Sequence, residues 1–409
     1  MKSPISIKVE TAIVVLALML LASCSQKKEE KLVTPWGEVN DTIPEGDDFD
    51  LEQIVTNGEM IMLTLSGPES YYDYRGKALG VQYMLCQKFA DKLGVGLRVE
   101  VCRDTTEMLR KLIAGDADVI AYPLVKKSLP ISKDSVNDII FCGAGVDSSG
   151  VQWAVDKEKP QLAKALDEWY KPKMMAEVKK EEAFLLSTRS VRRHVYAPML
   201  NRKGGIISRY DGLFMTYCMP IRWDWRLMAA QCYQESTFDA NARSWAGACG
   251  LMQIMPSTAA HLGLPMESIH DPESNIAAAA KYLGELELKF RDIRDRNEKF
   301  NFALASYNGG YFHIRDAMAL ARKNGKDPHR WAEVSKYVLL LSNSQYYRDP
   351  VVKYGYMRGY ETVDYVARIR QRWQSYHGVR SPRVGFSNTP QRAKRHKRKY
   401  NLAPNRQEE

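Results

Sequence analysis

The pattern of apolar positions divides the chain into a half with alternating short elements and a half with helical periodicity. In residues 58–185, an apolar run at 60–65 and a run of alternating apolar and polar residues at 96–101 lie on either side of a segment at 79–93, in which large apolar residues recur every four positions. Such runs predict strands, and strands that alternate with helices predict a parallel sheet with crossover helices. We therefore expect an α/β domain at 58–185.

The second half contains a segment predicted to be a buried helix that ends in a carboxylate. Large apolar residues stand at 225, 227, 228 and 232 with alanines at 229 and 230, a spacing that places an apolar face on one side of a helix. Glu235 follows directly. Because burial withdraws a carboxylate from water, we expect a raised pKa, which suits a general acid. A lone Glu in such a place is usually an exposed helix-end residue, so the interpretation depends on what surrounds it.

Four sequence blocks in a fixed order surround and follow Glu235. They are Gln-Glu-Ser at 234–236, Gly-Leu-Met-Gln-Ile-Met-Pro at 250–256, Tyr-Asn-Gly-Gly at 307–310 and Glu-Thr-x-x-Tyr-Val at 361–366. Together they resemble the catalytic domain of soluble lytic transglycosylases, and the stretches 224–227 and 353–360 resemble the membrane-bound lytic murein transglycosylase F family. The resemblance covers residues 190–378 and implies a mainly α, lysozyme-like domain.

The same resemblance implies an activity and a set of site residues. The substrate would be the glycan strands of peptidoglycan, cleaved at the β-1,4 bond between N-acetylmuramic acid and N-acetylglucosamine without water, so that 1,6-anhydro ends form. Glu235 would act as the single acid and base, and Ser244 would assist near the N-acetyl group. The remaining substrate-binding residues carried over from the family are Gln253, Tyr307, Asn308 and Glu361. Core packing of the tyrosine and an ion-pair or capping role for Glu361 remain alternatives.

Two other functions stay open on the residues alone. One is a lysozyme-type hydrolase that combines Glu235 with a second acid, for which Asp239 is the nearest candidate in sequence. In the family this position carries no catalytic carboxylate. The other is a non-catalytic lipoprotein that binds or senses the cell wall. The intact set of Glu235, Ser244, Gln253 and Tyr307 argues against this second alternative.

The first 24 residues have the pattern of a bacterial lipoprotein signal peptide. Two lysines precede an apolar run at 12–22, which is too short to span a bilayer, and Leu-Ala-Ser-Cys at 21–24 resembles a lipobox. This implies cleavage before Cys24 and a membrane anchor on that residue, whereas a plain signal peptide with a chance cysteine is the alternative. We expect a polar linker at 25–57 and a protein of the cell envelope, anchored in the outer membrane and facing the periplasm.

The α/β half is similar to the first lobe of an amino-acid-type periplasmic solute-binding protein. The resemblance rests on segments 80–95 and 112–119, with a return strand and closing helix at 152–169. Only about thirty residues separate Ala121 from Gln152, whereas a second lobe needs at least about fifty. We therefore expect a single lobe and assign no binding residues in it. A muropeptide or peptide ligand and a scaffold without a ligand both stay open.

Composition and charge add further expectations. With 409 residues, of which 45% are hydrophobic and 26% charged, the chain fits two globular domains with tails. The tail 379–409 holds nine Arg and Lys residues against two Glu, which accounts for +7 of the formal +10. We expect this tail to be disordered and attracted to anionic wall polymer or lipid, not to nucleic acid, which an exported protein does not meet. A smaller basic cluster, predicted to be a solvated face, comprises Arg189, Arg192, Arg193 and His194.

The cysteines and histidines suggest neither a disulfide framework nor a cofactor. Six cysteines follow Cys24 without paired spacing, and a disulfide between Cys232 and Cys249 stays open. The seven histidines show no metal-binding spacing, so we expect no metal and no cofactor.

Overall fold

The computed structural model describes residues 50–126, 129–130, 136–145, 151–187, 190–201 and 204–377, together with a short antiparallel pair, β1 (Val33–Thr34) and β2 (Gly37–Glu38). The predicted signal peptide with Cys24 and the basic tail 379–409 lie outside these residues. Within the part of the chain that is described, no helix is long and apolar enough to cross a membrane.

The first domain is built on a five-stranded sheet with the order β6-β3-β7-β9-β8. Strand β3 lies between β6 and β7 and runs parallel to both, and β9 lies antiparallel to β7 and β8. Most residues of β3 are buried, as expected for a strand with helices on both sides of the sheet. The predicted α/β domain is confirmed, with a return strand that runs against the parallel part. The strands are β3 (Glu59–Leu65), β6 (Gly96–Cys102), β7 (Val119–Val125), β8 (Ile139–Cys142) and β9 (Val151–Asp156).

Among the described residues, five helices belong to this domain, and the first of them revises the predicted linker. They are α1 (Leu51–Asn57), α2 (Val81–Leu93), α3 (Thr105–Ile113), α4 (Pro160–Trp169) and α5 (Pro172–Leu185). Helix α1 lies inside the segment 25–57, so the folded domain begins earlier than predicted. The physical reason is Asp50, which forms a capping box with Gln53 and also accepts hydrogen bonds from the backbone N–H groups of Gln161 and Leu162 at 2.8 and 2.9 Å.

The second domain is helical, as predicted, and is arranged around one buried helix. Its helices are α6 (Asp211–Cys218), α7 (Trp225–Ser236), α8 (Pro256–Leu262), α9 (Pro272–Lys289), α10 (Arg296–Gly309), α11 (Tyr311–Lys323), α12 (Trp331–Leu340), α13 (Ser344–Tyr347) and α14 (Gly359–Tyr376). Helix α7 contacts α6 and α14 and is buried along nearly its whole length. Apolar burial on most sides of a helix indicates a central position in the core.

A short β-hairpin of the first domain packs against the second domain. It consists of β4 (Tyr72–Tyr74) and β5 (Lys77–Leu79), which lie between β3 and α2 in the chain. The Tyr72 ring packs edge-on against Tyr356 at 5.0 Å between centroids, and the Ser66 hydroxyl just before the hairpin accepts a hydrogen bond from the Tyr356 backbone N–H at 2.8 Å. The two domains therefore form one compact unit.

The cysteine side chains of both domains are buried free thiols. This holds for all six cysteines in the described residues, so Cys232 and Cys249 are not joined. The Cys232 thiol donates to the Leu251 carbonyl at 3.4 Å, and the Cys249 thiol donates to the Gly247 carbonyl at 3.2 Å. They act as small apolar residues with a weak donor.

We predict opposite stability effects for two helical glycines. A Cβ atom on Gly359, where α14 crosses α12, would lie 1.7 Å from the Val338 carbonyl oxygen, whereas a Cβ on Gly212 in α6 would meet no atom within 4 Å. Gly359→Ala should lower the free energy of unfolding by about 3 kcal/mol because the backbones must separate. Gly212→Ala, the control, should raise it by up to about 1 kcal/mol. Thermal and denaturant unfolding of the two variants measures these changes. An unchanged free energy of unfolding for Gly359→Ala would contradict the prediction.

Candidate active site

The candidate acid Glu235 lies where α7 is forced to stop. Thr237 and Phe238 follow with φ angles of 54° and 62°, in the left-handed region that ends helices. Because the chain turns away at once, the carboxyl of Glu235 is left facing a cavity of about 440 Å³ that it helps to line. Its side chain is nevertheless buried, with 8% of the residue exposed. The site thus combines access to a cavity with little access to water.

Burial dominates the electrostatics of Glu235. Desolvation raises the pKa of its carboxyl, and three groups act against this rise: the guanidinium of Arg75, a hydrogen bond from Tyr365 and the guanidinium of Arg193. The Tyr365 hydroxyl donates to Oε1 of Glu235 at 2.5 Å. The pKa stays raised, so Glu235 holds its proton to a higher pH than an exposed Glu does. Once ionised, the carboxylate has a donor and two nearby cations.

Three residues near Glu235 lie outside the predicted set of site residues, namely Arg75, Tyr365 and Arg193. Tyr365 belongs to the last sequence block and lies one helical turn after Glu361, so the i, i+4 spacing on α14 could have indicated a shared face. Arg193 was expected on a solvated face. It is instead half-buried and donates from Nη1 to the Glu235 backbone carbonyl at 3.1 Å. This carbonyl lies in the last turn of α7, where the helix leaves its carbonyls without partners. Arg192 and His194 are exposed, and Arg189 lies outside the described residues.

Gln253 and Tyr307, two of the predicted substrate-binding residues, lie on the cavity wall. The Gln253 amide nitrogen donates to the backbone carbonyls of Ala242 and Gly250 at 3.2 and 2.9 Å, which leaves its side-chain oxygen as the acceptor for a ligand. The Tyr307 hydroxyl donates to the Met252 carbonyl at 2.8 Å. These bonds hold the loop before α8 against α10. Tyr307 is half-buried on the wall and not enclosed in the core.

Asn308 and Glu361 line the same cavity from α10 and α14. The Asn308 side-chain oxygen accepts a hydrogen bond from the Thr362 hydroxyl at 2.8 Å. Glu361 accepts from Nε of Arg358 at 2.9 Å and from the Tyr74 hydroxyl at 2.6 Å. The ion-pair alternative for Glu361 therefore coexists with its place on the wall.

Ser244 and Asp239 are placed differently from these four residues. Neither is among the described residues that line the cavity. The Ser244 hydroxyl accepts from the Ala248 backbone N–H at 3.0 Å and stabilises its own loop. The carboxylate of Asp239 accepts from the backbone N–H groups of His194 and Asn241 at 2.6 and 3.0 Å. Backbone donors therefore occupy both oxygens of the nearest candidate for a second catalytic acid.

The first domain contributes one wall of the cavity. Tyr74 and Arg75, at the tip of the β4–β5 hairpin, line it together with Glu235. The Tyr74 ring is stacked against Trp245 with 6.2 Å between centroids and an angle of 3° between the planes. No local pattern predicts this, because the hairpin and α7 are far apart in the sequence. Among the described residues, no cluster of His, Cys, Asp and Glu is arranged to hold a metal ion.

Comparison with known proteins agrees with the sequence blocks. Residues 221–329 match the Transglycosylase SLT domain family. The chain is 27% identical over 419 residues to the membrane-bound lytic murein transglycosylase F of Aeromonas hydrophila subsp. hydrophila, covering 80% of this chain and 83% of the relative. It is 29% identical over 422 residues to the protein of the same name from Enterobacter sp. (strain 638), covering 78% and 79%.

Among solved structures, the 70 kDa soluble lytic transglycosylase of Escherichia coli matches with 25% identity and a TM-score of 0.30, over 41% of this chain and 24% of that one. The two sequence relatives and the matching domain confirm the resemblance to membrane-bound lytic murein transglycosylase F. They also confirm the predicted enzyme class, a lytic transglycosylase.

We predict that Tyr365→Phe raises the pKa of Glu235 further, since it removes a donor that stabilises the carboxylate. A ¹³C NMR titration of labelled glutamate carboxyls in the full chain would measure the shift directly. Tyr376→Phe is the matched control, because the Tyr376 hydroxyl is also bonded in the same helix but donates to the Pro198 carbonyl. Identical Glu235 titrations in wild type and Tyr365→Phe would contradict the prediction.

Proposed function

We propose that this protein cleaves the β-1,4 bond between N-acetylmuramic acid and N-acetylglucosamine in peptidoglycan without water, and that Glu235 is the only acid and base. The observation that carries the proposal is the contrast between Glu235 and Asp239, the nearest candidate in sequence for a second acid. Glu235 is buried with a raised pKa on the wall of a cavity, whereas both oxygens of Asp239 accept backbone hydrogen bonds. A hydrolase of the usual kind needs two carboxyls at the scissile bond.

In the first step, protonated Glu235 gives its proton to the glycosidic oxygen. The bond from that oxygen to C1 of the muramic sugar breaks, its electron pair stays on the oxygen, and positive charge develops on the sugar ring. The carboxylate that remains accepts the Tyr365 hydrogen bond, which strengthens as the carboxyl becomes charged. A raised pKa makes the proton available near neutral pH, which general acid catalysis requires.

In the second step, the Glu235 carboxylate takes the proton of the C6 hydroxyl of the same muramic sugar. The C6 oxygen forms a bond to C1 and closes the 1,6-anhydro ring. Glu235 is protonated again, and no water enters the products. One carboxyl suffices because the substrate supplies its own nucleophile.

The substrate-binding residues follow from the cavity. We assign Gln253 and Asn308 as polar contacts to the sugars, and Tyr307 and Glu361 as residues that keep the wall in place through their own hydrogen bonds. Ser244 retains the role that its position in the sequence suggests, next to the N-acetyl group, and reaches it by a change in its loop. The hydrogen bond from the Ala248 backbone must then be exchanged for one to the sugar.

The α/β domain is proposed to take a peptide or muropeptide. A cavity of about 980 Å³ lies at the carboxyl ends of β3 and β6, where Leu65 and Cys102 end the strands. Open α/β sheets bind ligands at this edge. Residues 347–350 and 352–355 of the helical domain form the opposite wall.

We predict that Glu235→Gln abolishes product release, with a loss of at least about a thousandfold. Purified peptidoglycan is incubated with the full chain and soluble muropeptides are analysed by mass spectrometry. Wild type should release products lighter by one water than reducing-end products. Glu267→Gln, the same substitution at an exposed position, should act like wild type.

The isotope content of the products separates this reaction from hydrolysis. In H₂¹⁸O, the anhydro products should contain no ¹⁸O, whereas a hydrolase would label each new reducing end. Labelled products that disappear in Asp239→Asn would establish the two-carboxyl hydrolase instead. Binding of peptidoglycan without any product would leave a non-catalytic wall-binding protein.

The lipid anchor is a separate proposal with its own test. We place the protein in the outer membrane, facing the periplasm, through lipid on Cys24. Cys24→Ala should prevent incorporation of labelled palmitate and move the protein from the membrane fraction to the soluble one. Cys249→Ala is the control, because this thiol is buried in the helical domain. Equal palmitate labelling of Cys24→Ala and wild type would exclude this anchor.

A further inference from the structure

The tip of the β4–β5 hairpin brings a guanidinium to the catalytic cavity. Arg75 and Gly76 form the two-residue connection and have φ angles of 52° and 71°. Two successive positive φ angles are typical of the tight turns that match the twist of a hairpin, and an arginine is an unusual residue there. The backbone of Arg75 is left-handed, and its side chain is half-buried. With Glu235, this side chain lines the cavity wall.

The Arg75 guanidinium is not committed to a carboxylate. Among the described residues, none accepts a hydrogen bond from it or forms an ion pair with it. The guanidinium lies over the ring of neighbouring Tyr74, with Cζ 5.5 Å from the ring centroid. The other cations near Glu235 are engaged. Arg358 forms an ion pair with Glu361, and Arg193 donates to a backbone carbonyl.

Arg75 is coupled to Glu235 through charge. Burial lowers the pKa of the guanidinium, but Tyr74, Glu235, Glu361 and Tyr365 raise it by more, so Arg75 stays charged in the cavity. In turn, the positive charge of Arg75 lowers the pKa of Glu235, and it is the largest of the effects that oppose the rise caused by burial. The other groups facing Glu235 are Tyr365, Arg193, Tyr307 and the Cys232 thiol.

We propose that Arg75 is a positioning residue of the reaction: the hairpin of the α/β domain supplies the cation that stabilises Glu235 as a carboxylate between the two proton transfers. The inference rests on the proposed function, because it needs Glu235 to lose and regain a proton. A carboxylate formed in a site with little water is costly, and a fixed cation nearby reduces that cost. The active site is then complete only when the α/β domain is docked.

The test is the pH dependence of initial rates for the full chain on soluble, uncrosslinked glycan strands. The reaction needs protonated Glu235, so the rate falls as pH rises through its pKa. Arg75→Gln removes a charge that lowers this pKa, so the descending limb should move to higher pH by about one unit. The maximal rate should fall about tenfold, since the carboxylate is less stable.

Two controls define the effect. Arg75→Lys keeps the charge and should restore the wild-type limb. Lys77→Gln removes a charge from the same hairpin at an exposed position that does not line the cavity, and should leave the profile unchanged. Circular dichroism and melting temperature confirm that the variants are folded.

Three results would overturn the inference. A slower Arg75→Gln variant with an unmoved limb would make the residue structural. A faster variant with an unmoved limb would make the hairpin an obstruction of the cavity. A profile identical to that of wild type would give Arg75 no role. In each case wild type still releases anhydro products, whereas failure of the proposed function would appear as wild type that releases none.

Discussion

The structure depends on the burial of one carboxyl at the end of a central helix. Placing Glu235 in a site with little water makes its neutral form the favoured one, and any reaction that ionises it must meet the cost of an isolated charge. The groups that reduce this cost come from three distant parts of the chain, at residues 75, 193 and 365. The hairpin, the segment between the domains and the last helix must therefore all pack around α7.

This convergence explains why α7 is the central helix of its domain. A helix at the surface could present Glu235 only to water, where its pKa would stay near the ordinary value. Burial of Trp225, Leu227 and Met228 holds α7 inside the bundle. The left-handed residues after Ser236 end the helix, so that no further helical turn covers the Glu235 carboxyl. The position of the acid is thus set by core packing and by the turn together.

The sequence predicts what depends on local pattern. The burial of Glu235 and the α/β character of the first half follow from periodicity, and the structure agrees. The family resemblance implies Gln253, Tyr307, Asn308 and Glu361 as substrate-binding residues; all four line the cavity with Glu235, and their roles stay predictions. Tyr365 lies within the last of the sequence blocks, and its i, i+4 spacing from Glu361 on one helix is a local signal for a shared face. Prediction failed where a residue acts through tertiary contacts alone.

Arg75 and Arg193 show this limit most clearly. Nothing in the residues around the hairpin indicates that it packs against a helical domain more than a hundred residues away. A basic cluster is usually a solvated face, and only the approach of Arg193 to the end of α7 makes it otherwise. The helix at Leu51–Asn57 is not predicted for a related reason. Its capping residue Asp50 also accepts hydrogen bonds from the backbone of α4, and the sequence does not reveal these long-range contacts.

The two cavities share part of their walls, and this links the α/β domain to the chemistry of the helical one. Asp73, His313 and Tyr354 line both the space around Glu235 and the space at the carboxyl edge of the sheet. The hairpin that bears Arg75 begins beside that edge, directly after β3. Any ligand that binds more tightly when the hairpin is docked must in turn favour docking by the same free energy. For such a ligand, occupancy of the sheet edge and the position of Arg75 next to Glu235 would be coupled, and the residues of the shared wall lie between the two cavities.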